Sequence, residues 1–265
     1  MLIDTSLVTS IVKHHARQIL LPRFHTIKRH YKGDGTVVTE ADIMMQDALT
    51  NALADVYPDI DLLGEEMSEK EQLALIQAPH PFWCLDPLDG SSNFAAGLPF
   101  FCVSLALIVE QELVFGLVYD PLRDECFSAY RGHGASFNQH RLSPTAPPDN
   151  RCGTIAFIDF KHLNTQQAAA LLCTPRYGSH RQLGSIALEL CWLTIGRGHL
   201  YLHSSQHLWD YAGALMVLTE LGLPSRTFSG EDVFSTDLAC RSTISAADPD
   251  LYQQWVEHLS QVVLS

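Results

Sequence analysis

Short apolar runs bounded by turn-forming residues alternate along this chain with stretches in which apolar residues recur at helical spacing. Because strands and helices bury their apolar side chains at different periods, the alternation predicts that both kinds of element contribute to the core. No internal repeat or low-complexity segment interrupts it. We therefore expect a mixed fold of the α+β class.

The pattern places the individual elements. Apolar residues recur at helical spacing over residues 2–30 and 40–56, and the glycine-rich turn KGDGT separates these two stretches. Strand-like runs cover residues 61–63, 82–85, 101–109 and 113–119. The segment VEQELVFGLVYDP is typical of a hairpin. Further on, GTIAFID and GHLYLH predict strands, whereas NTQQAAALL, GSIALELCWLTIG and WDYAGALMVLTELG predict helices, the last being the final long one. Three prolines end regular structure in SPTAPPDN, residues 143–150. We take this stretch as the seam between two lobes, about 1–145 and 150–265, of a single domain spanning 1–265.

Composition limits the class of protein. The chain has 265 residues, of which 46% are hydrophobic and 18% charged, enough for one large core or two closely packed halves. Its seven cysteines are odd in number and never stand at C-x-x-C spacing, so neither a zinc cage nor a full disulfide framework is indicated. We expect a reducing, cytoplasmic environment. The absence of a signal-like segment, and of any apolar run of roughly 18 to 20 residues, argues against secretion and membrane insertion.

The formal net charge of −13 argues against nucleic acid as the main partner, because phosphate backbones require a basic surface. It does not exclude a small anionic substrate held by a metal. Six of the 17 basic residues lie within the first 32 positions: Lys13, Arg17, Arg23, Lys28, Arg29 and Lys32. We interpret them as the solvated face of an amphipathic helix, with a docking surface for an acidic protein partner as the alternative.

Polar chemistry concentrates in CLDPLDGSSNF, residues 84–94. Pro87 biases Asp86 toward an extended backbone, so we expect Asp86 to end a strand with its carboxylate at the edge. Gly90 stands at the sharpest bend, and a helix starting at 91–93 would present free N–H groups to a phosphate. The turn is thus suited to cations on one side and an anion on the other. The alternative is an Asx turn in which the aspartates only cap backbone N–H groups.

Other carboxylates strengthen this interpretation. Glu65 follows the strand-like IDLL, Asp210 opens a helix in LWDYAGAL, and Thr39 and Asp42 stand in TEAD before another helix. Taken alone, Glu65 is typical of a solvated loop acid and Asp210 of an N-cap. Thr39 and Asp42 together are typical of a helix cap. Their order is more specific than any one of them: T-x-x-D, G-E-E, W-x-x-D-P-x-D-G-S-S-N-F and W-D-x-A-G.

This order resembles the inositol monophosphatase family of magnesium-dependent, lithium-sensitive sugar-phosphate phosphatases. The resemblance covers roughly residues 30 to 225 and includes YDPLRDECFSAYRGHGASFNQHRL and LGSIALELCWLTIGRGHLYL. It implies a layered αβαβα fold in one compact domain, usually a homodimer, with the active site in a cleft between the layers.

The resemblance also implies the site residues. Metal ligands would be Glu65, Asp86, the Leu88 carbonyl oxygen, Asp89 and Asp210, a set of hard oxygen donors that suits Mg²⁺. The catalytic group would be Asp42, Glu65 and Ser91, of which Asp42 and Ser91 orient the attacking water. Serine replaces the family's usual threonine at position 91 and supplies the same hydroxyl with freer rotamers. The substrate contacts would be Leu88, Asp89, Gly90, Ser91, Ser92, Gly184, Ser185, Ile186, His203 and Asp210.

The expected mechanism follows from charge. A phosphate monoester dianion repels hydroxide, and two metal ions about 3.5 to 4 Å apart can neutralise the attacking and leaving oxygens. No cysteine or serine stands in the pattern of an activated nucleophile, and neither GSSNFAAG nor LGSIAL is a G-x-S-x-G elbow. We therefore expect direct in-line attack by water.

The identity of the substrate stays open in the sequence. A small phosphorylated polyol or sugar such as inositol 1-phosphate is the first candidate; histidinol phosphate, fructose bisphosphate and nucleotide phosphates are alternatives, as is a non-catalytic regulatory protein on the same fold. The family often has a polyol-binding glutamate seven residues before the last aspartate, where this chain has His203. We expect a weakened preference for inositol, unless His203 is a surface loop residue.

Overall fold

The computed structural model describes residues 3–24, 30–31 and 37–263. The predicted turn at 32–36 and the basic residues Lys28, Arg29 and Lys32 lie outside the described residues. The helices are α1 (Thr5–Arg23), α2 (Glu40–Val56), α3 (Glu69–Gln77), α4 (Ser91–Ala96), α5 (Thr165–Cys173), α6 (Ile186–Leu193), α7 (Leu208–Glu220) and α8 (Pro249–Val262). The strands are β1 (His30–Tyr31), β2 (Val37–Val38), β3 (Asp61–Gly64), β4 (Phe82–Asp89), β5 (Cys102–Val109), β6 (Glu112–Asp120), β7 (Glu125–Tyr130), β8 (Gly134–Phe137), β9 (His140–Arg141), β10 (Ile155–Ile158), β11 (Ser179–Arg181), β12 (Leu200–Gln206), β13 (Ser225–Arg226) and β14 (Arg241–Ala246).

The larger sheet has seven strands in the order β3-β4-β5-β6-β7-β8-β9. Only β3 and β4 are parallel; every later neighbour is antiparallel. The predicted hairpin is confirmed, because Val109 pairs with Glu112 across a two-residue turn. Glu110 and Gln111 both take positive φ, 51° and 64°, the backbone that a twisted two-residue hairpin turn requires.

The smaller sheet has five strands in the order β11-β10-β12-β14-β13. Strand β10 is parallel to both of its neighbours, while β14 is antiparallel to β12 and β13. Residues 143–150, which connect the two sheets in the chain, contain no helix or strand, as their prolines predict.

Helices α6 and α7 form a layer between the two sheets. One continuous core joins Phe127 of the larger sheet and Tyr201 of the smaller sheet to the apolar side chains of both helices. Every residue of α7 from 208 to 218 is buried except Asp210, as expected of a helix covered on all sides. The helix lies very close to β6: a Cβ on Gly116 would meet the Gly213 carbonyl oxygen at 2.3 Å.

The outer layers complete the sandwich. Helices α1 and α2 pack on the other face of the larger sheet, where Val12 and Met45 share a core with Trp83. Helices α5 and α8 cover the outer face of the smaller sheet, where Leu171 and Trp255 share a core with Leu200 of β12. The order of layers is α1/α2, seven-stranded sheet, α6/α7, five-stranded sheet, α5/α8, which confirms the expected layered αβαβα architecture.

Three expectations about the elements are wrong. The first helix, predicted over residues 2–30, ends at Arg23, and residue 30 begins strand β1. The helix from WDYAGALMVLTELG is not the final one, because β13, β14 and α8 follow it. The sequence does carry a start signal for α8, since Asp248 caps it and Pro249 occupies its first turn. Asp86 does not end its strand either: β4 continues to Asp89, which pairs with Cys102 beyond a register shift.

Candidate active site

The β4–α4 turn, where the phosphate site is predicted, bends at Gly90. Gly90 is the N-cap of α4 and takes φ 96°, and a Cβ at this position would meet the Phe100 carbonyl oxygen at 3.0 Å. Only glycine therefore fits without strain. The backbone N–H of Leu88 donates to Asp86 Oδ1 at 2.9 Å, which is the Asx-type contact of the alternative interpretation. The Asx-type contact is therefore present in the turn where the phosphate site is predicted.

Four carboxylates meet in one cleft of about 680 Å³. Glu65 after β3, Asp86 and Asp89 on β4, and Asp210 in the first turn of α7 all line it, together with Leu88. Burial raises the pKa of Asp86 well above its ordinary value, and the negative charges of Glu65, Asp89 and Asp210 raise it further. The carboxylates are therefore close enough to repel one another, and a cation among them would relieve the repulsion.

Asp89 also holds the start of α6. Its Oδ2 accepts hydrogen bonds from Ser185 Oγ and Ala187 N, both at 2.7 Å, and its Oδ1 accepts one from Ile186 N at 3.1 Å. Burial raises the pKa of Asp89 to about 6, although these hydrogen bonds lower it. The larger sheet and the central helix layer are thus joined at the cleft.

Asp42 and Ser91 are in contact, as expected. Ser91 Oγ donates to Asp42 Oδ1 at 2.5 Å, while Thr39 N and Thr39 Oγ1 donate to Asp42 Oδ2 at 2.8 and 2.5 Å. Asp42 therefore closes the capping box of α2 with one oxygen and binds Ser91 with the other. Burial raises the pKa of Asp42, while the hydrogen bonds from Ser91 and Thr39 lower it.

The β11–α6 loop (182–185) is clamped against the turn. Asn93 Nδ2 on α4 donates to the Leu183 carbonyl oxygen at 2.6 Å. Glu189 Oε1 on α6 accepts from Leu183 N at 2.5 Å and from Gly184 N at 3.0 Å. The clamp places Gly184, Ser185 and Ile186 in the wall of the cleft.

His203 is not a surface loop residue. It lies on β12, lines the cleft, and its side chain is 11% exposed. Its Nε2 is 3.2 Å from Asp159 Oδ2, and its Nδ1 accepts from Ser205 N at 3.3 Å. Burial lowers the pKa of His203 to about 4, although Asp159 opposes the shift. The imidazole is therefore neutral at physiological pH, with its proton on Nε2.

Comparison with known proteins identifies the family. The family model for the inositol monophosphatase family matches residues 5–264. The chain belongs to the inositol monophosphatase family. Inositol monophosphatase 1 of Solanum lycopersicum is 32% identical over 253 residues, covering 92% of this chain and 90% of its own. The Nus factor SuhB of Pasteurella multocida is 33% identical over 211 residues, covering 77% of each.

Solved structures confirm the fold. The Thermotoga maritima IMPase matches with a TM-score of 0.83 and 24% identity, over 98% of this chain and 97% of that one. A likeness at this identity shows the fold alone. The inositol monophosphatase family is a family of metal-dependent phosphatases, and membership in it supports a phosphatase of this family.

The donor set fits the metal that the family uses. Four carboxylates and a backbone carbonyl oxygen in one cleft are hard ligands of the kind that Mg²⁺ prefers. Among residues 3–24, 30–31 and 37–263, no group of three or more His, Cys, Asp or Glu side chains is arranged to hold a metal ion by itself. A Mg²⁺ ion in this cleft would therefore need water and substrate phosphate as further ligands, as Mg²⁺ sites usually do.

Sequence reasoning missed part of the wall of the cleft. These additional lining residues are Asp159, Lys161, His162, Gln182, Glu189, Ser205, His207, Trp209 and Cys240. A signal existed for some of them, because Asp159 is the last residue of the predicted strand GTIAFID, Lys161 stands two residues after it, and His207 stands three residues before Asp210. For Glu189 and Cys240 the sequence offers no such signal.

The basic first helix is partly neutralised within the chain. Lys13 Nζ lies 2.8 Å from Asp124 Oδ1, and Arg17 lies 2.6 Å from the same oxygen. Arg17 also donates to Tyr119 Oη at 2.9 Å. These two cations of α1 therefore form ion pairs within the chain.

In the part of the chain that is described, no helix is both long and apolar enough to cross a membrane.

Proposed function

We propose that this member of the family is a Mg²⁺-dependent phosphomonoesterase that hydrolyses a small phosphorylated polyol or sugar, such as inositol 1-phosphate, by direct attack of water. The observation that carries the proposal is the cleft itself, where four carboxylates meet the phosphate-cradle turn and the hydrogen-bonded pair of Asp42 and Ser91. A related structure, an IMPase/NADP phosphatase with Mg²⁺ and phosphate bound, supports it (TM-score 0.83).

The metal ligands would be Glu65, Asp86, Asp89, Asp210 and the Leu88 carbonyl oxygen. A Mg²⁺ ion held by these residues would supply activation of the attacking water and neutralisation of charge on the phosphoryl group. Three hydrogen bonds from the start of α6 hold Asp89, so its carboxylate would be oriented before a metal ion binds.

The chain's own polar groups would orient the attacking water. A hydroxyl has one proton, and Ser91 directs it to Asp42 Oδ1 at 2.5 Å, the shorter of its two contacts, and not to the Leu88 carbonyl oxygen at 2.9 Å. The lone pairs of Ser91 Oγ are then left to accept a hydrogen bond from water. The backbone N–H groups at Gly90, Ser91 and Ser92 would hold the phosphate.

The test is phosphate release from a panel of sugar, polyol, nucleotide and alcohol phosphates, with and without Mg²⁺. We expect turnover only with Mg²⁺. Ser91→Thr should retain activity, whereas Ser91→Ala should lose about 10²-fold or more, since positioned proton-transfer groups contribute on that order. Ser92→Ala is the matched control, because Ser92 would contribute its backbone N–H. A wild-type protein that hydrolyses none of the panel would contradict the proposal.

A regulatory role on the same fold is the second candidate, and the relatives named Nus factor SuhB favour it. It would use α1 to dock an acidic protein, and the pairing of Lys13 and Arg17 with Asp124 leaves less free positive charge for this purpose. The resemblance to the family also predicts a homodimer. Light scattering, which gives the molar mass in solution, tests this prediction.

A further inference from the structure

The cleft has two halves of different character. One half, beside the β4–α4 turn, contains the four carboxylates. The other half is lined by residues that follow β10, by β12 and its end, and by the β11–α6 loop. Its polar side chains include those of Lys161, His162, Gln182, Ser205 and His207.

The acids of this second half are occupied. Asp159 is 5% exposed, and its Oδ1 accepts hydrogen bonds from Lys161 N at 2.9 Å and Gln182 Nε2 at 2.5 Å. Its Oδ2 faces His203 Nε2 at 3.2 Å. Glu189 is 3% exposed and accepts from two backbone N–H groups, and burial raises its pKa to about 8. Neither carboxylate offers a free charged oxygen to a ligand near neutral pH.

His203 offers no acceptor either. Its Nδ1 accepts from the backbone of Ser205, and its Nε2 donates to Asp159. A polyol hydroxyl placed here would find no carboxylate comparable to the glutamate that the family often carries at this position. The wall is therefore poor in acceptors for hydroxyl groups.

A cation stands beside this wall. Lys161 is exposed and lines the cleft, and its positive charge acts on His203, as does that of His162 when protonated. Over the described parts of the chain, no carboxylate forms an ion pair with the Lys161 ammonium. The chain has a formal net charge of −13, so a lysine that lines this cleft without such an ion pair is available to bind an anion.

We propose that the substrate carries a second anionic group, a carboxylate or a phosphate, which Lys161 binds in this second half of the cleft. The proposal rests on the proposed function and narrows its substrate class from polyol monoesters to phosphate esters of acidic sugars or bisphosphates. At about 680 Å³ the cleft is in the size range of small-molecule sites, and it has room for a hexose with an anionic group at each end.

The experiment compares three esters that differ at one carbon: glucose 1-phosphate, glucuronate 1-phosphate and glucose 1,6-bisphosphate. The kcat/KM for release of the 1-phosphate is measured with Mg²⁺ at low and high ionic strength. The wild-type protein should prefer at least one anionic ester over glucose 1-phosphate by about 5- to 10-fold at low salt, the size of one solvent-exposed polar contact, and screening should reduce the preference. The carboxylate and phosphate arms show which anion is bound.

Two variants make the test specific. Lys161→Gln should bring the ratio of anionic to neutral ester close to one. Lys70→Gln, which removes an exposed lysine on α3 outside the cleft, should retain the wild-type ratio. Equal kcat/KM for all three esters in the wild-type protein, or a preference that survives Lys161→Gln, would overturn the inference.

Thermal melts separate this inference from the proposed function. If neither these esters nor any member of the wider phosphate panel is hydrolysed, the proposed function fails, and binding of the three glucose esters then decides the inference. The inference is supported if an anionic ester raises the melting temperature of the wild-type protein more than glucose 1-phosphate does, and if this difference is absent in Lys161→Gln. Equal shifts would refute it.

Discussion

Replacing Glu189 by leucine removes the single oxygen that accepts two backbone N–H groups of the β11–α6 loop. Leucine fills a similar volume but offers no acceptor. An unpaired backbone N–H costs about 1 to 3 kcal/mol when buried. The two N–H groups here are only partly buried, so the lower end applies, and we expect a loss of about 2 kcal/mol in the free energy of unfolding.

Glu189→Gln is the matched control. Glutamine retains a carbonyl oxygen where Glu189 Oε1 accepts both hydrogen bonds, and it removes the charge. Burial raises the pKa of Glu189 to about 8, from an ordinary value of about 4.5. Between these two pH values the folded protein binds more protons than the unfolded one, so Glu189 lowers stability as pH rises, by at most about 1.4 kcal/mol per pH unit. Glu189→Gln should lack this contribution and be at least as stable as wild type at pH 8.

The assays are urea unfolding from pH 5 to 8 and steady-state kinetics on the best substrate. Glu189→Leu should also raise KM more than it lowers kcat, because the loop lines the cleft while Asp42, Ser91 and Asp89 stay in place. Inhibition by inorganic phosphate, which would bind at the turn, should change little. If Glu189→Gln is as unstable as Glu189→Leu, the shared acceptor is not what holds the loop, and the reasoning fails.

Further predictions concern the turn, the metal ligands and His203. Asp89→Asn should abolish Mg²⁺-dependent turnover in a folded protein, and a variant that keeps more than about a tenth of wild-type kcat, roughly 1.4 kcal/mol of barrier, would show that Asp89 is not an essential ligand. Millimolar Mg²⁺ should raise the melting temperature and phosphate should add to the increase, since both bind the native state; melts that do not move would count against a metal site. Gly90→Ala should cost about 1 to 2 kcal/mol of stability, measured by urea unfolding, because φ is 96° and the new Cβ meets the Phe100 carbonyl oxygen; an unchanged midpoint would contradict this. His203, with its pKa lowered to about 4, should reduce stability as pH falls from 6.5 toward 4, because only the unfolded imidazole takes up a proton there; His203→Gln should flatten this part of the stability curve, and an unaltered slope would exclude His203 as its source.

Much of this protein is determined by local sequence. The strands near 61–63, 82–85, 101–109 and 113–119 and the second helix form where apolar spacing and turn residues predict them, because these signals act over a few neighbouring residues. The first helix forms there too but ends at Arg23, short of the predicted residue 30. The same holds for the β4–α4 turn, whose Pro87, Gly90 and hydroxyls are adjacent in the chain. The order of acidic motifs was sufficient to indicate the family, and the family model confirms it.

The tertiary structure decided the partners of the polar side chains. Asp42 serves both as the cap that its local sequence predicts and as the acceptor for Ser91, which is 49 positions away. The sequence left open whether His203 is a surface loop residue, whereas the structure places it beside Asp159, which follows β10. The contact between Glu189 and the β11–α6 loop likewise depends on the position of α6 beside the turn. Such contacts arise when separate layers pack, and the sequence carries no local signal for them because a hydrogen bond depends on where two atoms meet, whatever the distance between them along the chain.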